Sequence, residues 1–251
     1  METLNLHQIL NADTWLNLDK GIFKLIFKRG GIIAGSFARF AFFGHIDGIK
    51  YPSDIDIFCL NLEHYEALKR FFNNYLKIKN ESKFAITYHP DRSLGFYKPL
   101  QLIKPRKEGN IVTYGNVTEI LDNFDFTVNR IAFSGPQTVT LDKNIEEDLL
   151  KKRLIIHNIH CPIGILIRIM KYTKKGFNIS FVEFIKVMEA WEKIDGVHKR
   201  TLIEFLNIVR SEDGRVIESF ESFESFAGED SAKWSKKEAL FEQILKLLYV
   251  D

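Results

Sequence analysis

A glycine-serine turn followed by a strand with two aspartates constrains the fold of this chain more than any other feature. The turn is Gly35-Ser36, and the strand-like run lies at residues 54–59. This run alternates acidic and apolar residues and then becomes wholly apolar, as is typical of a strand whose first part faces an open cleft. Side chains two positions apart on a strand point to the same face, so Asp54 and Asp56 are predicted to project together.

The paired carboxylates and the turn suit the transfer of a nucleotide. That reaction uses two divalent ions about 3.5–4 Å apart, one at the attacking hydroxyl and one at the triphosphate. Asp54 and Asp56 are candidate ligands for both ions, with Mg²⁺ as the natural metal and Mn²⁺ as a substitute. Gly35 and Ser36, with Arg39 in the predicted helix that follows, are candidate ligands of the phosphates. The alternative is a surface strand with two solvated aspartates after an ordinary turn.

The arrangement resembles the defining motif of the DNA polymerase β superfamily of nucleotidyltransferases, in which a Gly-Ser pair precedes a carboxylate-apolar-carboxylate strand. Seventeen residues separate Ser36 from Asp54, so an insertion near residues 44–52 is implied. The resemblance implies an α+β fold, with a polymerase β-like nucleotidyltransferase lobe built on a mixed sheet and an α-helical lobe after it. It also implies a nucleoside triphosphate as substrate and two magnesium ions as cofactors.

The third carboxylate of such a site comes from a later strand, and the first position to align with it holds Gln101. Residues 101–133, with 168–172 and 175–177, resemble a subgroup of predicted nucleotidyltransferases from viruses and from ankyrin-repeat proteins. In that subgroup a Gln-containing strand precedes a Phe-Asp pair. The resemblance therefore implies Asp125 as the third metal ligand and catalytic carboxylate. Asp122 is its nearest rival, and a helix-capping or turn role is the alternative for Asp125.

The remaining pattern divides the chain into two lobes. Strand signals lie at residues 84–88, 99–103 and 124–128, and helical patterns precede them at residues 4–28 and 63–76. From residue 145 onward the patterns are helical, at residues 163–175, 181–193, 199–209 and 236–250. We therefore predict a catalytic lobe over residues 1–142 and a helical lobe over residues 143–251.

The helix predicted at residues 163–175 carries a basic face. Arg168, Lys171, Tyr172 and Lys175 are spaced so that they lie on one side of the helix. We predict that Arg168, Lys171 and Tyr172 bind nucleotide, through contacts to the triphosphate and stacking on a base. A solvated cationic face that complements the helix dipole is the alternative.

Composition limits the other classes of protein to consider. The 35 Lys and Arg residues nearly balance the 33 Asp and Glu residues, so the chain as a whole has no bias toward nucleic acid. Its two cysteines lack a spacing typical of disulfide frameworks or metal sites, which fits a reducing compartment. The sequence shows neither a signal peptide nor an apolar run of membrane-spanning length. We therefore predict a cytoplasmic protein without a membrane partner.

These features predict a metal-dependent nucleotidyltransferase that moves a nucleoside monophosphate from a triphosphate to a hydroxyl acceptor. The basic helix favours an RNA end as the acceptor, whereas the near-neutral total charge disfavours a long RNA track. A protein or a small molecule stays open as the acceptor. A second interpretation is a non-catalytic binding or regulatory module that keeps the fold, and the neutral Gln101 is its main support.

Overall fold

An eight-stranded mixed sheet organises the first part of the chain. The computed structural model describes residues 1–5, 21–44, 46, 49, 52–94, 96–108, 111–136, 138–160 and 162–194. Its strands are β1 (Glu2–Asn5), β2 (Gly31–Ala34), β3 (Ile55–Cys59), β4 (Ile78–Glu81), β5 (Ala85–Tyr88), β6 (Leu100–Ile103), β7 (Lys107–Glu108), β8 (Ile111–Val112), β9 (Ile131–Gly135), β10 (Thr138–Leu141), β11 (Arg153–Leu154) and β12 (Asn178–Ile179). Its helices are α1 (Gly21–Lys28), α2 (Ser36–Phe43), α3 (Leu62–Tyr75), α4 (Val117–Asp122), α5 (Ile145–Leu150), α6 (Pro162–Thr173) and α7 (Phe181–Glu192).

The order of strands in the sheet is β1-β10-β9-β2-β3-β6-β5-β4. Only the β3–β6 pair is parallel, and the other neighbours run antiparallel. Strand β2 lies near the middle and is wholly buried, since α1 and α2 pack against it. A parallel pair requires a crossover, and α3 lies in the connection from β3 to β6. The sheet therefore mixes both kinds of pairing, as the sequence predicts.

The chain divides into two compact units, Met1–Lys151 and a second that begins at Lys152. The sequence places this boundary earlier, after residue 142. Helix α5 belongs to the first unit, where it packs on the 3-10 helix Thr127–Asn129. The Thr127 hydroxyl donates a 2.7 Å hydrogen bond to Oδ2 of the buried Asp148, which ties α5 to that helix.

Two secondary-structure predictions for the first unit are wrong. Residues 124–128 are predicted as a strand, but they form a bend and the start of the 3-10 helix. Phe126 and Val128 are both fully buried there, so their alternation reflects packing of a compact turn into the core. The helix predicted from residue 4 is a strand at its start, because Glu2–Asn5 pairs with β10. The last part of that prediction is correct, since α1 spans Gly21–Lys28.

The second unit contains α6, α7 and a short parallel pairing of β11 with β12. The Ser180 hydroxyl caps α7 by accepting a 3.2 Å hydrogen bond from the Glu183 amide. Glu183 itself is buried, and its Oε2 accepts a 2.7 Å bond from the Ile156 amide. The helices predicted at residues 163–175 and 181–193 are confirmed. Those predicted at residues 199–209 and 236–250 lie outside the described residues.

Candidate active site

The turn after β2 is held in a conformation that glycine adopts readily. Gly35 has φ +74° and ψ −138°, and a positive φ of this size is strained for residues with a side chain. Its N–H donates a 3.0 Å hydrogen bond to the Ile131 carbonyl in β9, and its own carbonyl accepts a 2.9 Å bond from the Arg39 amide. These two hydrogen bonds therefore fix the turn through which the chain passes from β2 to α2.

Helix α2 begins directly after this turn with Ser36, which is half-buried. No acidic residue lies in its first turn, so no carboxylate of the helix offsets the positive end of the helix dipole. The rest of α2 is apolar except for Arg39, and all of it except the half-buried Phe42 is buried. The residues predicted to bind phosphate thus lie at an N-terminus that is rigidly attached to the core.

The two aspartates lie where β3 begins. Asp54 immediately precedes the strand and Asp56 is its second residue, and both are half-buried. Ile55 and Ile57 alternate with them and are fully buried on the other face. In the sheet, Asp56 lies opposite Ala34 of β2. The alternation predicted from the sequence is confirmed, and it directs both carboxylates to one side.

The Gly35 turn and the Asp56 carboxylate are neighbours in space. A Cβ atom built on Gly35 would lie 3.8 Å from Asp56 Oδ2. The same Cβ would lie 3.0 Å from Cε1 of Phe124, so the aromatic ring closes the other side of the turn. The structure therefore brings together four predicted site residues: Gly35, Ser36, Asp54 and Asp56.

Gln101 joins this group from the parallel strand β6. It lies opposite Asp56 in the β3–β6 register. Its side-chain Nε2 donates a 3.2 Å hydrogen bond to Asp54 Oδ2. The position at which the superfamily resemblance suggests a carboxylate thus carries a neutral amide in contact with one of the two aspartates.

Asp125 lies in the bend after α4 and is half-buried. Its neighbour Phe124 contacts the site more directly, because that ring lies beside Gly35 and its centroid is 5.8 Å from that of Phe58. Among the described residues, no group of three His, Cys, Asp or Glu side chains could hold a metal ion. The predicted role of Asp125 as the third metal ligand therefore stays a prediction.

Arg39 connects α2 to the 3-10 helix. Its Nη1 donates a 2.9 Å hydrogen bond to Asn129 Oδ1 and a 3.4 Å bond to the Val128 carbonyl. The side chain is buried, so its charge lies within the protein and next to these oxygens. Through these contacts Arg39 links α2 to the 3-10 helix. Its predicted role in nucleotide binding stays a prediction.

Arg130 forms an ion-pair network that was not predicted from the sequence. Its Nη1 donates to Asp142 Oδ2 at 2.7 Å, its Nη2 pairs with Asp122, and its Nε donates to the Leu121 carbonyl at 3.2 Å. Asp122 is thus engaged in an ion pair at the end of α4. An arginine in the apolar stretch of residues 126–133 was the available signal for this network.

Arg168, Lys171 and Tyr172 lie on α6 in the second unit, and Lys175 lies in the turn after it. Arg168 is exposed and Lys171 is half-buried. Tyr172 is only 6% exposed, and its ring meets that of Phe177 edge-on with a centroid separation of 5.3 Å. The Lys175 ammonium lies 5.6 Å from the Tyr172 ring. Tyr172 therefore contributes to the packing of the second unit, and its predicted stacking on a base is not tested by these contacts.

Two properties bear on the wider class of the protein. In the portion of the chain that the structure describes, no helix is long and apolar enough to cross a membrane. No curated protein matches the sequence significantly. A family model and solved structures do match the chain.

A model of the family described as "Gabija anti-defense 2 family protein" matches residues 6–152. This match covers more than half of the chain and contains the Gly35 turn, both aspartates of β3 and Asp125. The matched residues stop close to the end of the first compact unit.

Solved structures of CCA-adding enzymes share the fold. The Thermotoga maritima enzyme complexed with tRNA is 19% identical, with 90% of this chain and 55% of that chain covered and a TM-score of 0.50. A CCA-adding enzyme in complex with CTP is 18% identical, with 90% and 56% covered and a TM-score of 0.52. A complex with ATP is 19% identical, with 77% and 46% covered and a TM-score of 0.51. The chain spans about half the length of these enzymes. At this identity the likeness confirms the α+β, polymerase β-like nucleotidyltransferase fold and no more.

Proposed function

The chain belongs to the Gabija anti-defense 2 family, and from its fold and the residues of its candidate site we propose that it is a metal-dependent nucleotidyltransferase. It moves a nucleoside monophosphate from a nucleoside triphosphate to a hydroxyl acceptor. The observation that carries the proposal is the position of Asp54 and Asp56, which share one face at the start of β3 beside the Gly35 turn. A carboxylate pair next to a helix N-terminus is the arrangement that a metal-bound triphosphate requires.

The residues present fit a magnesium site. Mg²⁺ is bound in proteins through one or two carboxylates together with substrate phosphates, rather than by a complete cage of protein ligands. Asp54 and Asp56 supply two such carboxylates, and both are partly accessible. The described residues contain no group of three ligands that could hold a metal ion, and a magnesium site of this kind does not require one. Bound divalent cations would stabilise the negative charge of the triphosphate and activate the attacking hydroxyl.

The chain's own residues then divide the remaining tasks. The acceptor hydroxyl attacks the α-phosphate in line, and pyrophosphate leaves. Ser36 and the first amides of α2 hold the triphosphate at the N-terminus of the helix, and Gly35, whose N–H is bonded to the Ile131 carbonyl, forms the turn that presents them. Asp125 orients the attacking hydroxyl from the bend after α4. Arg168 and Lys171 belong to the second unit, and their predicted binding of nucleotide stays a prediction.

The acceptor that we favour is an RNA end. Solved proteins with the same fold are CCA-adding enzymes in complex with tRNA, CTP or ATP, which supports the choice of an RNA acceptor and of a ribonucleotide donor. The description of the family supports a biological purpose, namely that the transferred nucleotide counters the Gabija defence. A finer kinship with nucleotidyltransferases of viruses and ankyrin-repeat proteins belongs to the same proposal, and it rests on Gln101 and on the Phe124-Asp125 pair.

A non-catalytic module is the second candidate. It is favoured by the neutral Gln101 beside Asp54. Such a module would bind its target without consuming nucleotide. It would therefore retain its effect on Gabija when both aspartates are replaced, whereas the enzyme would lose it.

Transfer of label from α-labelled triphosphates tests the proposal. Each of the four ribonucleotides is incubated with the full chain, Mg²⁺ or Mn²⁺, and extract from cells that carry the defence system. The extract is then resolved into RNA, protein and small-molecule fractions. We expect label in the RNA fraction, lost in Asp56→Asn and kept in the control Glu146→Gln, which removes an exposed carboxylate on α5.

Each outcome of this experiment has a definite meaning. Label in the protein or small-molecule fraction would keep the reaction and replace the acceptor. No transfer from any triphosphate, combined with counter-defence activity that survives Asp54→Asn and Asp56→Asn, would establish the binding module instead.

A further inference from the structure

Phe124 places an aromatic ring at the edge of the candidate site. A Cβ atom built on Gly35 would lie 3.0 Å from Phe124 Cε1 and 3.5 Å from its Cζ. The same Cβ would lie 3.8 Å from Asp56 Oδ2. The edge of the ring is therefore a neighbour both of the turn that leads into α2 and of one of the two carboxylates.

The backbone and the core hold Phe124 in this position. Its amide donates a 3.2 Å hydrogen bond to the Leu121 carbonyl. The preceding Asn123 is anchored twice, since its Oδ1 accepts a 3.0 Å bond from the Val112 amide and its Nδ2 donates a 2.7 Å bond to the Glu119 carbonyl. The ring packs against a buried apolar cluster formed by Ile32, Ala34, Ile120, Leu121 and Ala132. Phe124 is nevertheless only half-buried, so part of it is open to a ligand.

The face of β3 that carries the aspartates continues into an aromatic residue. Side chains two positions apart on a strand share a face, so Phe58 follows Asp54 and Asp56 on the same side. Phe58 is half-buried like the two aspartates, and the centroid of its ring lies 5.8 Å from that of Phe124. This face is therefore acidic where β3 begins and aromatic further along.

A nucleoside triphosphate has the same two-part character. Its phosphates are charged, whereas its base is a flat aromatic ring that stacks on aromatic side chains. A side chain that is already held in place suits such stacking, because little further ordering is needed when the ligand binds. A ligand of phosphate alone, such as tripolyphosphate, has no group that would use the aromatic end.

We propose that Phe124, supported by Phe58, forms a binding surface for the base of the donor nucleotide, whose phosphates lie at the turn after Gly35. This inference rests on the proposed nucleotidyltransferase function and deepens it, because it names the residue that distinguishes a nucleotide from a bare polyphosphate. Every base has a face that can stack, so the surface selects for a nucleotide rather than for one particular base.

A substitution that removes only the ring tests this role. Phe124→Leu keeps an apolar side chain but has no aromatic face, and Phe124→Met is a second variant of the same kind in case the first does not fold. Phe42→Leu is the matched control, because Phe42 is also a half-buried phenylalanine in contact with a second ring, that of Phe43, at a centroid separation of 4.7 Å. Circular dichroism and thermal melting check that each variant is folded.

The experiment is isothermal titration calorimetry of the full chain with Mg²⁺, using non-hydrolysable analogues of the ribonucleoside triphosphates and, separately, tripolyphosphate. We expect the wild type to bind the nucleotides more tightly than tripolyphosphate. Phe124→Leu should bind the nucleotides about tenfold more weakly, a change of about 1.4 kcal/mol, with its affinity for tripolyphosphate unchanged. Phe42→Leu should match the wild type for every ligand. In the wild type, a photoreactive azido-adenosine triphosphate should form its adduct in the peptide that contains Phe124 or Phe58.

The possible failures can be told apart. Equal weakening of nucleotide and tripolyphosphate binding in Phe124→Leu would show that the ring only shapes the Gly35 turn. Unchanged nucleotide affinity in that variant, equal affinity of the wild type for both kinds of ligand, or an adduct in another peptide would show that the base does not bind at Phe124. In each of these cases the role of Phe124 is wrong and the proposed function stands. If the wild type binds neither nucleotide nor tripolyphosphate, the proposed function is wrong, and this inference is overturned with it.

Discussion

The backbone of Gly35 lies beside the carboxylate of Asp56, with the position of a would-be Gly35 Cβ atom 3.8 Å from Asp56 Oδ2. The turn and the aspartate come from neighbouring strands, since Ala34 pairs with Asp56 across β2 and β3. Under the proposed function, a phosphate at the start of α2 would lie close to a cation at Asp56. Any change that moves the turn should therefore disturb the metal and the phosphate contacts at once.

Gly35→Ala is expected to destabilise the fold and to reduce nucleotidyl transfer. The positive φ alone costs about 1–3 kcal/mol for a residue with a side chain, and the added Cβ would also meet Phe124 Cε1 at 3.0 Å. Gly176→Ala provides a matched comparison, because Gly176 has φ +85° but no atom within 4 Å of its Cβ position. Urea unfolding should show a larger loss for Gly35→Ala. Equal losses would show that the Phe124 contact is without consequence.

The Arg130 network should be essential for the stability of the first unit. Arg130 and Asp142 are nearly buried, with side-chain exposures of 8% and 12%, whereas that of Asp122 is 53%. Removing one partner of a buried pair costs about 3–5 kcal/mol, because the other charge is left without compensation. Asp142→Asn should therefore cost far more than Asp122→Asn, for which about 0–1 kcal/mol is expected. Chemical unfolding of both variants measures the difference, and similar losses would contradict this assignment.

Arg39 and Asn129 should be energetically coupled. Their side chains share a 2.9 Å hydrogen bond that links α2 to the 3-10 helix, and Arg39 is buried. A double-mutant cycle with Arg39→Met and Asn129→Ala should give a coupling of about 1–3 kcal/mol. The exposed pair Glu147–Lys151 forms an ion pair at 2.7 Å and should give only about 0.3–0.5 kcal/mol, because solvent screens it. If the two substitutions change the free energy of unfolding additively, Arg39 and Asn129 are not coupled.

Stability should fall in alkaline solution because of buried groups in the first unit. Burial raises the pKa of the Cys59 thiol to about 12. Burial, with smaller effects of Glu66, Glu81 and Cys59, raises the pKa of Tyr65 to about 12, and burial also raises that of Tyr88. The unfolded chain releases such protons at about pH 8.5 for Cys and pH 10 for Tyr. The folded form therefore holds protons that the unfolded form loses, and stability declines as pH rises from about 8.5 toward 12.

Denaturant unfolding at pH 8, 9.5 and 10.5 measures this decline. Cys59→Val should reduce the loss between pH 8.5 and 10, because the valine has no proton to release. The native Cys59 should also react slowly with thiol reagents at pH 8, since the thiolate is the reactive form. Rapid modification of the native protein at Cys59 would contradict its burial and raised pKa.

The sequence predicts features formed by neighbouring residues better than contacts between residues far apart in the chain. Alternation of acidic and apolar residues identifies β3, because a period of two is a property of neighbouring residues. The left-handed turn at Gly35 is likewise suggested by a glycine between a strand and a helix. The bond from Gln101 to Asp54 depends on the parallel register of β3 and β6, which relates residues 47 positions apart. No local pattern encodes that register.

The error at residues 124–128 has a similar physical cause. Phe124, Phe126 and Val128 alternate as in a strand, but the short segment turns into a 3-10 helix and buries Phe126 and Val128 together. Helix α4 just before it was also missed, although Asn116 and Glu119 form a capping box that marks its start. Six residues are too few for a clear helical period, and only the cap could have revealed this helix.

The pairing of β1 with β10 has a consequence for folding during synthesis. Residues 2–5 bond to residues 138–141, and the hydroxyls of Thr3 and Thr140 lie 3.1 Å apart across this edge. Strand β1 must therefore wait for a partner made roughly 135 residues later, a delay on the order of ten seconds at typical elongation rates. Throughout that interval an unpaired strand edge is exposed to other chains. Slower synthesis, or a higher concentration of nascent chains, should thus lower the soluble yield more than it would for a protein in which this strand pairs locally.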